Sequence, residues 1–325
     1  MSMKKLHAAL LGAILLGGLA ACSPLPTLNA LSPGSALRSG SGLAYGENAR
    51  HKLDVYSPED AATPAPVVVF FLGGNWTRGE RNDYAFVGRA LASRGMVAVI
   101  PDFRLHPEVS YPDFLDDSAR ALAWTVREIA RYGGDPKRLF VMGHSSGAYN
   151  AAMMALDAQW LAKQGMQPAA LRGWIGLAGP YDFLPIENPV TKPVFHFPDT
   201  APASQPINHA RSGTAPALLI AANNDKLVDP VRNTRAMAAR LRARDVAVQE
   251  LYFDKVSHAT LVASIAAPLR FLAPTLDSVE QFVKSDAGPI APAARANRLG
   301  RNQLHPHTED RRLNQAIPRP DQALT

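Results

Sequence analysis

A glycine- and serine-rich turn between two apolar runs constrains this chain more than any other feature. Residues 143–147 read GHSSG, a G-x-S-x-G pattern. The apolar residues 139–142 before it are typical of a buried strand, and the small residues 148–156 after it are typical of a helix. This order predicts a tight strand-to-helix turn that holds Ser145 in a cramped backbone conformation at the sheet edge, where it could attack a carbonyl. An ordinary Gly/Ser connection is the alternative.

Continuous apolar runs separated by helical patterns define the predicted fold class. Residues 113–132 carry apolar side chains at steps of three and four, which indicates one apolar stripe on a helix. Runs that are apolar on both faces indicate strands buried on both sides. We therefore predict an α/β fold with a mostly parallel central sheet and helices on both faces. The predicted strands are 66–72, 96–100, 139–142, 174–178, 217–222 and 246–253.

A serine nucleophile needs a base within hydrogen-bond reach and an acid that orients the base. Asp225 follows the predicted strand 217–222, and we predict that it is the orienting acid. Asp229 is the competitor, although its place before Pro230 is more typical of a helix N-cap. His258 lies in a predicted loop after the last strand and is the base that we predict. It is the only one of the 9 histidines that follows Asp225 within the predicted folded region.

The strand 66–72 runs into the sequence GGNW at residues 73–76. Glycines there would allow main-chain N–H groups to come close to a substrate oxygen. We predict that the N–H groups of Gly74, Asn75 and Ser146 form an oxyanion hole, which stabilises negative charge during acyl transfer. An ordinary Gly-Gly turn is again the alternative.

Several motifs in the same order resemble the esterase/lipase group of the α/β-hydrolase superfamily, of the carboxylesterase-like type with an H-G-G-G-W oxyanion loop. The resemblance covers residues 42–284. It departs from the pattern at Leu72, where the family has histidine, and at Asn75, where it has a third glycine. The motifs are HKLDVYSP at 51–58, FLGGNW at 71–76, DFRL at 102–105, YGGDP at 132–136, GHSSG at 143–147, the Asp225-x-x-Val228 pair and His258.

The resemblance implies an α/β-hydrolase fold and a serine hydrolase that cleaves carboxylic esters through a Ser-His-Asp triad and an acyl-enzyme. Two alternatives stay open. The same triad serves amide hydrolysis, as in an arylformamidase-like enzyme or a peptidase, and the altered oxyanion loop would also suit a non-catalytic lipoprotein that keeps the fold as a binding scaffold. Residues 185–213 are long, proline-rich and aromatic, so they form either a cap that lines the substrate pocket or a surface crossover.

The amino terminus has the pattern of an export signal. Lys4 and Lys5 precede an apolar run over residues 8–19, which is short for a membrane span and typical of a signal peptide, residues 1–21. The ending LAAC at 19–22 resembles a bacterial lipobox, which implies that Cys22 carries a lipid anchor. It is the only cysteine, so no intrachain disulfide forms. Ser23 after it resembles the signal for an outer membrane, with the protein facing the periplasm.

The flanking segments and the charge complete the predicted organisation. Residues 22–41 are rich in Pro, Ser and Gly and are predicted to be a tether, and residues 285–325 are predicted to be a disordered tail. The net charge is +6, of which the signal peptide and the tail contribute +2 each, so the folded part is weakly charged and nucleic-acid binding is not indicated. We expect a small-molecule ester substrate, no metal and no cofactor; His305 and His307 lack further candidate ligands.

Overall fold

The computed structural model describes residues 25–32, 34, 37–59 and 64–285. The predictions for the signal peptide, for Cys22 and for residues 286–325 fall outside these ranges. No helix within the described ranges is long and apolar enough to cross a lipid bilayer.

Eight strands form one sheet in the order β1-β2-β4-β3-β5-β6-β7-β8. The first two pairings, β1 with β2 and β2 with β4, are antiparallel, and all of the others are parallel. The predicted mostly parallel sheet is therefore confirmed. The strands are β1 Arg38–Ala44, β2 Lys52–Tyr56, β3 Ala65–Phe71, β4 Val97–Pro101, β5 Gly134–His144, β6 Leu171–Leu177, β7 Ala217–Ala222 and β8 Val248–Phe253.

Helices cover this sheet: Ala85–Ala92 packs against β4, Ser146–Leu156 against β5 and β6, and Thr275–Lys284 against β7. The predicted helix over residues 113–132 is confirmed as a helix over Asp113–Glu128 with a 3-10 turn after it. The α-helices are α1 Leu25–Leu31, α2 Ala85–Ala92, α3 Asp113–Glu128, α4 Ser146–Leu156, α5 Ala158–Ala162, α6 Ala236–Arg242, α7 His258–Ala263 and α8 Thr275–Lys284. Shorter turns are Arg81–Tyr84, Ile129–Tyr132, Pro168–Ala170, Pro193–Phe195, Pro202–Ser204, Pro206–His209 and Ala267–Leu269, and Val231–Arg235 is a π-helical turn.

The core lies on the central strands. Every residue of β3, β4 and β7 is buried, because the helices exclude water from both faces of the sheet. These apolar strands lead directly into the polar loops at their carboxyl ends. The rigid core thus fixes where those loops begin, which is the general arrangement of ligand sites in open α/β sheets.

The predicted tether over residues 22–41 is wrong where the structure describes it. Residues 25–31 form α1, and β1 begins at Arg38. Leu28 is buried, and the Asn29 side chain donates to the carbonyl of Asn82 at 2.6 Å and accepts from the N–H of Phe86 at 2.8 Å. A helix of two turns has little stability of its own, so docking contacts rather than a sequence pattern hold it. The Gly/Ser-rich strand β1 likewise has a weak intrinsic strand preference.

Candidate active site

The turn between β5 and α4 has the strained geometry that the motif predicts. Ser145 lies at φ 55° and ψ −122°, a conformation that L-residues with side chains rarely adopt. A Cβ on Gly143 would come within 2.1 Å of the carbonyl oxygen of Gly147, and a Cβ on Gly147 within 2.0 Å of that of Phe71. Both glycines are therefore needed for α4 to cross the sheet this closely, and the close crossing fixes Ser145 at the edge.

Three of the predicted residues meet in one hydrogen-bonded chain. Nε2 of His258 lies 2.8 Å from Oγ of Ser145, and Nδ1 of His258 lies 2.7 Å from Oδ2 of Asp225. His258 is the first residue of α7 rather than a loop residue, and its position is held by the capping box of Ser257 and Thr260. The structure thus brings together the three side chains that the sequence singles out, and it shows a helix start where the sequence predicted a loop.

The hydrogen bonds of Asp225 determine which ring nitrogen of His258 carries the proton. Burial raises the pKa of Asp225, but the hydrogen bond and charge of His258 and the N–H groups of Val228 and Leu227 outweigh it, so this pKa lies below its ordinary value. An ionised carboxylate can only accept, so the neutral imidazole carries its proton on Nδ1 and its lone pair on Nε2. That lone pair faces the Ser145 hydroxyl.

The competing acid Asp229 has the capping role. Its Oδ1 accepts from the N–H groups of Val231 at 2.7 Å and Arg232 at 2.9 Å. These bonds satisfy donors at the start of the π-helical turn. The interpretation of Asp229 as a cap is confirmed, and Asp225 is the acid that contacts His258.

A second histidine, which our sequence analysis assigned no role, supports the first. His144 is buried, its Nε2 lies 2.9 Å from the carbonyl oxygen of His258, and the two rings are 4.9 Å apart. Burial and the neighbouring His258 lower the pKa of His144 to about 3. His144 is therefore neutral near neutral pH and donates from Nε2, which positions the backbone of His258 without placing a second charge beside it. In the sequence, only its place inside the G-x-S-x-G motif indicated that His144 lies near the active site.

The predicted oxyanion loop has left-handed backbone angles. Gly74 lies at φ 137°, and a Cβ there would come within 2.1 Å of the carbonyl oxygen of Arg78. Asn75 lies at φ 55°, a region that asparagine tolerates better than most residues. Leu72, which precedes the loop, is buried.

Trp76 anchors this loop to the rest of the domain. Its Nε1 donates to Oδ1 of Asn150 on α4 at 3.0 Å. Its ring packs edge-on against Phe195 at 4.8 Å and Tyr149 at 5.1 Å between ring centroids. Because Asn150 lies on α4, five residues after Ser145, the same helix positions both the nucleophile and the loop. Our sequence analysis missed this role, since an aromatic residue after a turn has no distinctive pattern.

An ion pair and two hydrogen bonds hold the carboxyl end of the oxyanion loop. Nε of Arg81 lies 3.0 Å from Oδ1 of the buried Asp54, and Nη2 of Arg50 donates to the carbonyl of Gly79 at 2.8 Å. The main-chain N–H of Arg81 also donates to Oδ1 of Asp102 at 2.6 Å. The loop from Gly74 to Arg81 is thus fixed at both ends, which favours a preorganised position for its N–H groups.

Two cavities are lined by Ser145, and Asn75 and Leu227 also line both of them. The first, about 200 Å³, is also lined by Pro185 and four further residues of the segment 185–213. That segment therefore contributes to the cleft, as the cap interpretation predicts. The second, about 420 Å³, is lined by His258 and by residues of the loop and of α1. Both cavities thus give space for a substrate next to Ser145.

No cluster of three or more His, Cys, Asp or Glu side chains within the described ranges could hold a metal ion. His305 and His307 lie outside these ranges.

The sheet order, the strained serine turn and the site at the carboxyl ends of the strands define an α/β-hydrolase fold. The chain belongs to the BD-FAE family, whose sequence model matches residues 53–241.

Among curated relatives, a probable isoprenylcysteine α-carbonyl methylesterase of Oryza sativa is 36% identical over 148 residues, which are 44% of this chain and 35% of that protein. The probable carboxylic ester hydrolase LipM of Mycobacterium tuberculosis is 30% identical over 266 residues, 74% of this chain and 60% of that protein. The chain thus spans about a third of the plant relative.

Solved structures share the fold. Esterase B of Lactobacillus rhamnosis covers 86% of this chain over 97% of its own length, with a TM-score of 0.68 and 17% identity. Esterase 2 of Thermogutta terrifontis covers 78% of this chain over 97% of its own length, with a TM-score of 0.65 and 22% identity. At these identities the likeness concerns the fold alone.

Proposed function

We propose that this protein is a serine hydrolase that cleaves carboxylic esters. The observation that carries the proposal is the continuous chain of hydrogen bonds from Asp225 through His258 to Ser145, which ends on a strained serine that lines two cavities. The names of the relatives in rice and in M. tuberculosis share ester hydrolysis as their reaction class, which supports the same class here.

The first half of the reaction forms an acyl-enzyme. Nε2 of His258 accepts the hydroxyl proton of Ser145 as Oγ attacks the carbonyl carbon of the ester. Asp225 stabilises the resulting imidazolium and keeps the ring oriented. The tetrahedral intermediate then collapses, the bond to the alcohol oxygen breaks, and His258 returns its proton to the departing alcohol.

Main-chain donors would hold the charge that develops on the carbonyl oxygen. In this proposal the donors are the N–H groups of Gly74, Asn75 and Ser146. Ser146 is the first residue of α4, where main-chain N–H groups have no partner inside the helix. The same donors act in the second half, in which water attacks the acyl-enzyme with His258 as the base and releases the acid.

Replacement of Ser145 with alanine tests the proposal. With p-nitrophenyl acetate and the matching p-nitroacetanilide as a paired ester and amide, we expect the wild type to cleave the ester faster and the variant to lose nearly all turnover. An unchanged melting temperature would show that the variant is folded. A wild type that prefers the amide would favour the amide-hydrolase alternative, and near-normal ester cleavage by the variant would refute the role of Ser145.

We also propose that Cys22 carries a lipid anchor and that the protein is held at the outer membrane, facing the periplasm. The lipobox-like ending LAAC at residues 19–22 supports this location. Metabolic labelling with radioactive palmitate should mark the wild type in the membrane fraction and leave a Cys22→Ala variant unlabelled. Equal labelling of both proteins would contradict the assignment of the anchor.

A further inference from the structure

Helix α1 forms part of the wall of the candidate active site. Leu25, its first residue, lines the larger cavity together with Ser145 and His258. The helix is fixed there by Asn29, whose side chain bonds to three main-chain groups and whose carbonyl accepts from Nη2 of Arg89 at 2.7 Å. The start of the described chain is thus part of the cleft.

The three most exposed large apolar side chains within the described ranges lie near this helix or its cavity. Leu31, at the end of α1, is 61% exposed. Phe271 is 77% exposed and follows by two residues the turn Ala267–Leu269, which packs against α1. Leu227 is 75% exposed and lines the same cavity as Leu25. A contiguous exposed apolar patch is typical of a surface that meets a partner or a membrane.

The length of chain between the proposed anchor and the cleft identifies the partner as a lipid surface. Cys22 is separated from Leu25 by three peptide units, which span at most about 11 Å when fully extended. A lipid on Cys22 would therefore hold the bilayer surface within about that distance of a residue that lines the cavity. A bilayer at that distance is sufficient to cover the exposed apolar side chains.

We propose that the α1 side of the cleft lies on the membrane surface, with Leu31 and Phe271 in contact with lipid, and that the enzyme takes amphiphilic esters directly from the bilayer. This inference rests on the proposed ester hydrolysis and on the anchor at Cys22. A long acyl or alcohol chain would pass from the bilayer along Leu25 and Leu227 into the larger cavity, and the scissile carbonyl would reach Ser145 without the whole substrate entering water.

The test compares two esters that release the same alcohol. The full chain, expressed with its signal peptide and purified as the lipidated protein, is reconstituted into phosphatidylcholine vesicles. Hydrolysis of 4-methylumbelliferyl oleate dissolved in the bilayer is measured beside hydrolysis of water-soluble 4-methylumbelliferyl acetate. The test variant is the double substitution Leu31→Ser and Phe271→Ser. The matched control is Val190→Ser with Phe197→Ser, which changes two exposed apolar residues that line neither of the two cavities at Ser145.

We expect the Leu31/Phe271 variant to hydrolyse the bilayer ester about tenfold more slowly and the soluble ester at the wild-type rate, with the control variant unchanged on both. Because all three proteins keep Cys22, the anchor holds them at the same surface concentration. An unchanged rate on the bilayer ester, or an equal loss in the control, would overturn the inference while leaving the proposed function intact. If the wild type cleaved neither ester, the proposed function itself would fail.

Discussion

Replacement of Gly147 with alanine should disable the site through the backbone alone. The added Cβ would lie 2.0 Å from the carbonyl oxygen of Phe71 and 2.6 Å from that of Leu72. Ordinary contacts begin near 3.4 Å, so α4 and the end of β3 must separate by about 1 Å or more. Since Ser145 lies at the start of α4 and β3 leads into the loop with Gly74 and Asn75, the separation moves the nucleophile away from the oxyanion donors.

The expected magnitude follows from this displacement. A misplacement of about 1 Å can cost about a hundredfold in rate, so we expect kcat/KM for p-nitrophenyl acetate to fall by about two orders of magnitude. Overpacking should lower the free energy of unfolding by about 3 kcal/mol, and the higher helix propensity of alanine should raise it by about 1 kcal/mol. The melting temperature should therefore fall by about 5 °C.

Gly165→Ala is the control for this experiment. No atom lies within 4 Å of the Cβ that it would add, although Gly165 also has a positive φ of 70°. It should cost about 1 kcal/mol of stability through backbone strain and leave kcat/KM unchanged. The reasoning would be refuted if Gly147→Ala kept kcat/KM within about threefold of the wild type, because the close crossing of helix and strand would then not fix the site.

Substitutions at three further residues test single contacts. Asp225→Asn should lower kcat by about four orders of magnitude. Because the pKa of Asp225 is lowered in the folded protein, its charge stabilises the fold at pH values above the ordinary carboxyl pKa of about 4. This stabilisation is lost as the pH falls through the lower pKa of the folded state. The difference in melting temperature between wild type and variant should therefore shrink towards zero at acidic pH. His144→Phe removes the donor to the His258 carbonyl and should lower kcat about tenfold at unchanged KM. His144→Gln keeps a donor and should retain most of the wild-type rate. Equal losses of kcat in both variants would refute a positioning role for His144. Trp76→Ala should cost about 3–5 kcal/mol in urea unfolding and Trp76→Phe clearly less, and equal costs would contradict the anchoring role of the ring.

Local patterns in the sequence predicted the parts of the site that local geometry dictates. The run into GHSSG predicted the strained turn at Ser145, because only a glycine-flanked turn lets a helix cross a strand so closely. The proximity of Asp225 and His258 could be predicted because each follows a predicted strand, and the carboxyl ends of parallel strands meet at one edge of the sheet. Asp229 could be assigned to a cap because a proline follows it.

The features that the sequence did not predict depend on contacts between distant segments. Helix α1 was interpreted as a tether because its fixed position comes from the hydrogen bonds of Asn29 to residues more than fifty positions away. Trp76 owes its role to Asn150 and to Phe195, and His144 owes its role to the carbonyl of His258. These partners come together only in the tertiary fold, so no periodicity or spacing in the sequence predicts them.

The central claim is that Ser145 is a nucleophile activated by His258, and labelling with a fluorophosphonate probe tests it most directly. The folded protein would be treated with the probe, digested and mapped by mass spectrometry, with a His258→Ala variant as the control. We expect a single adduct on Ser145 in the wild type and almost none in the variant, because the serine hydroxyl then lacks its base. No adduct on Ser145 in wild-type protein shown to be folded by circular dichroism would contradict the account.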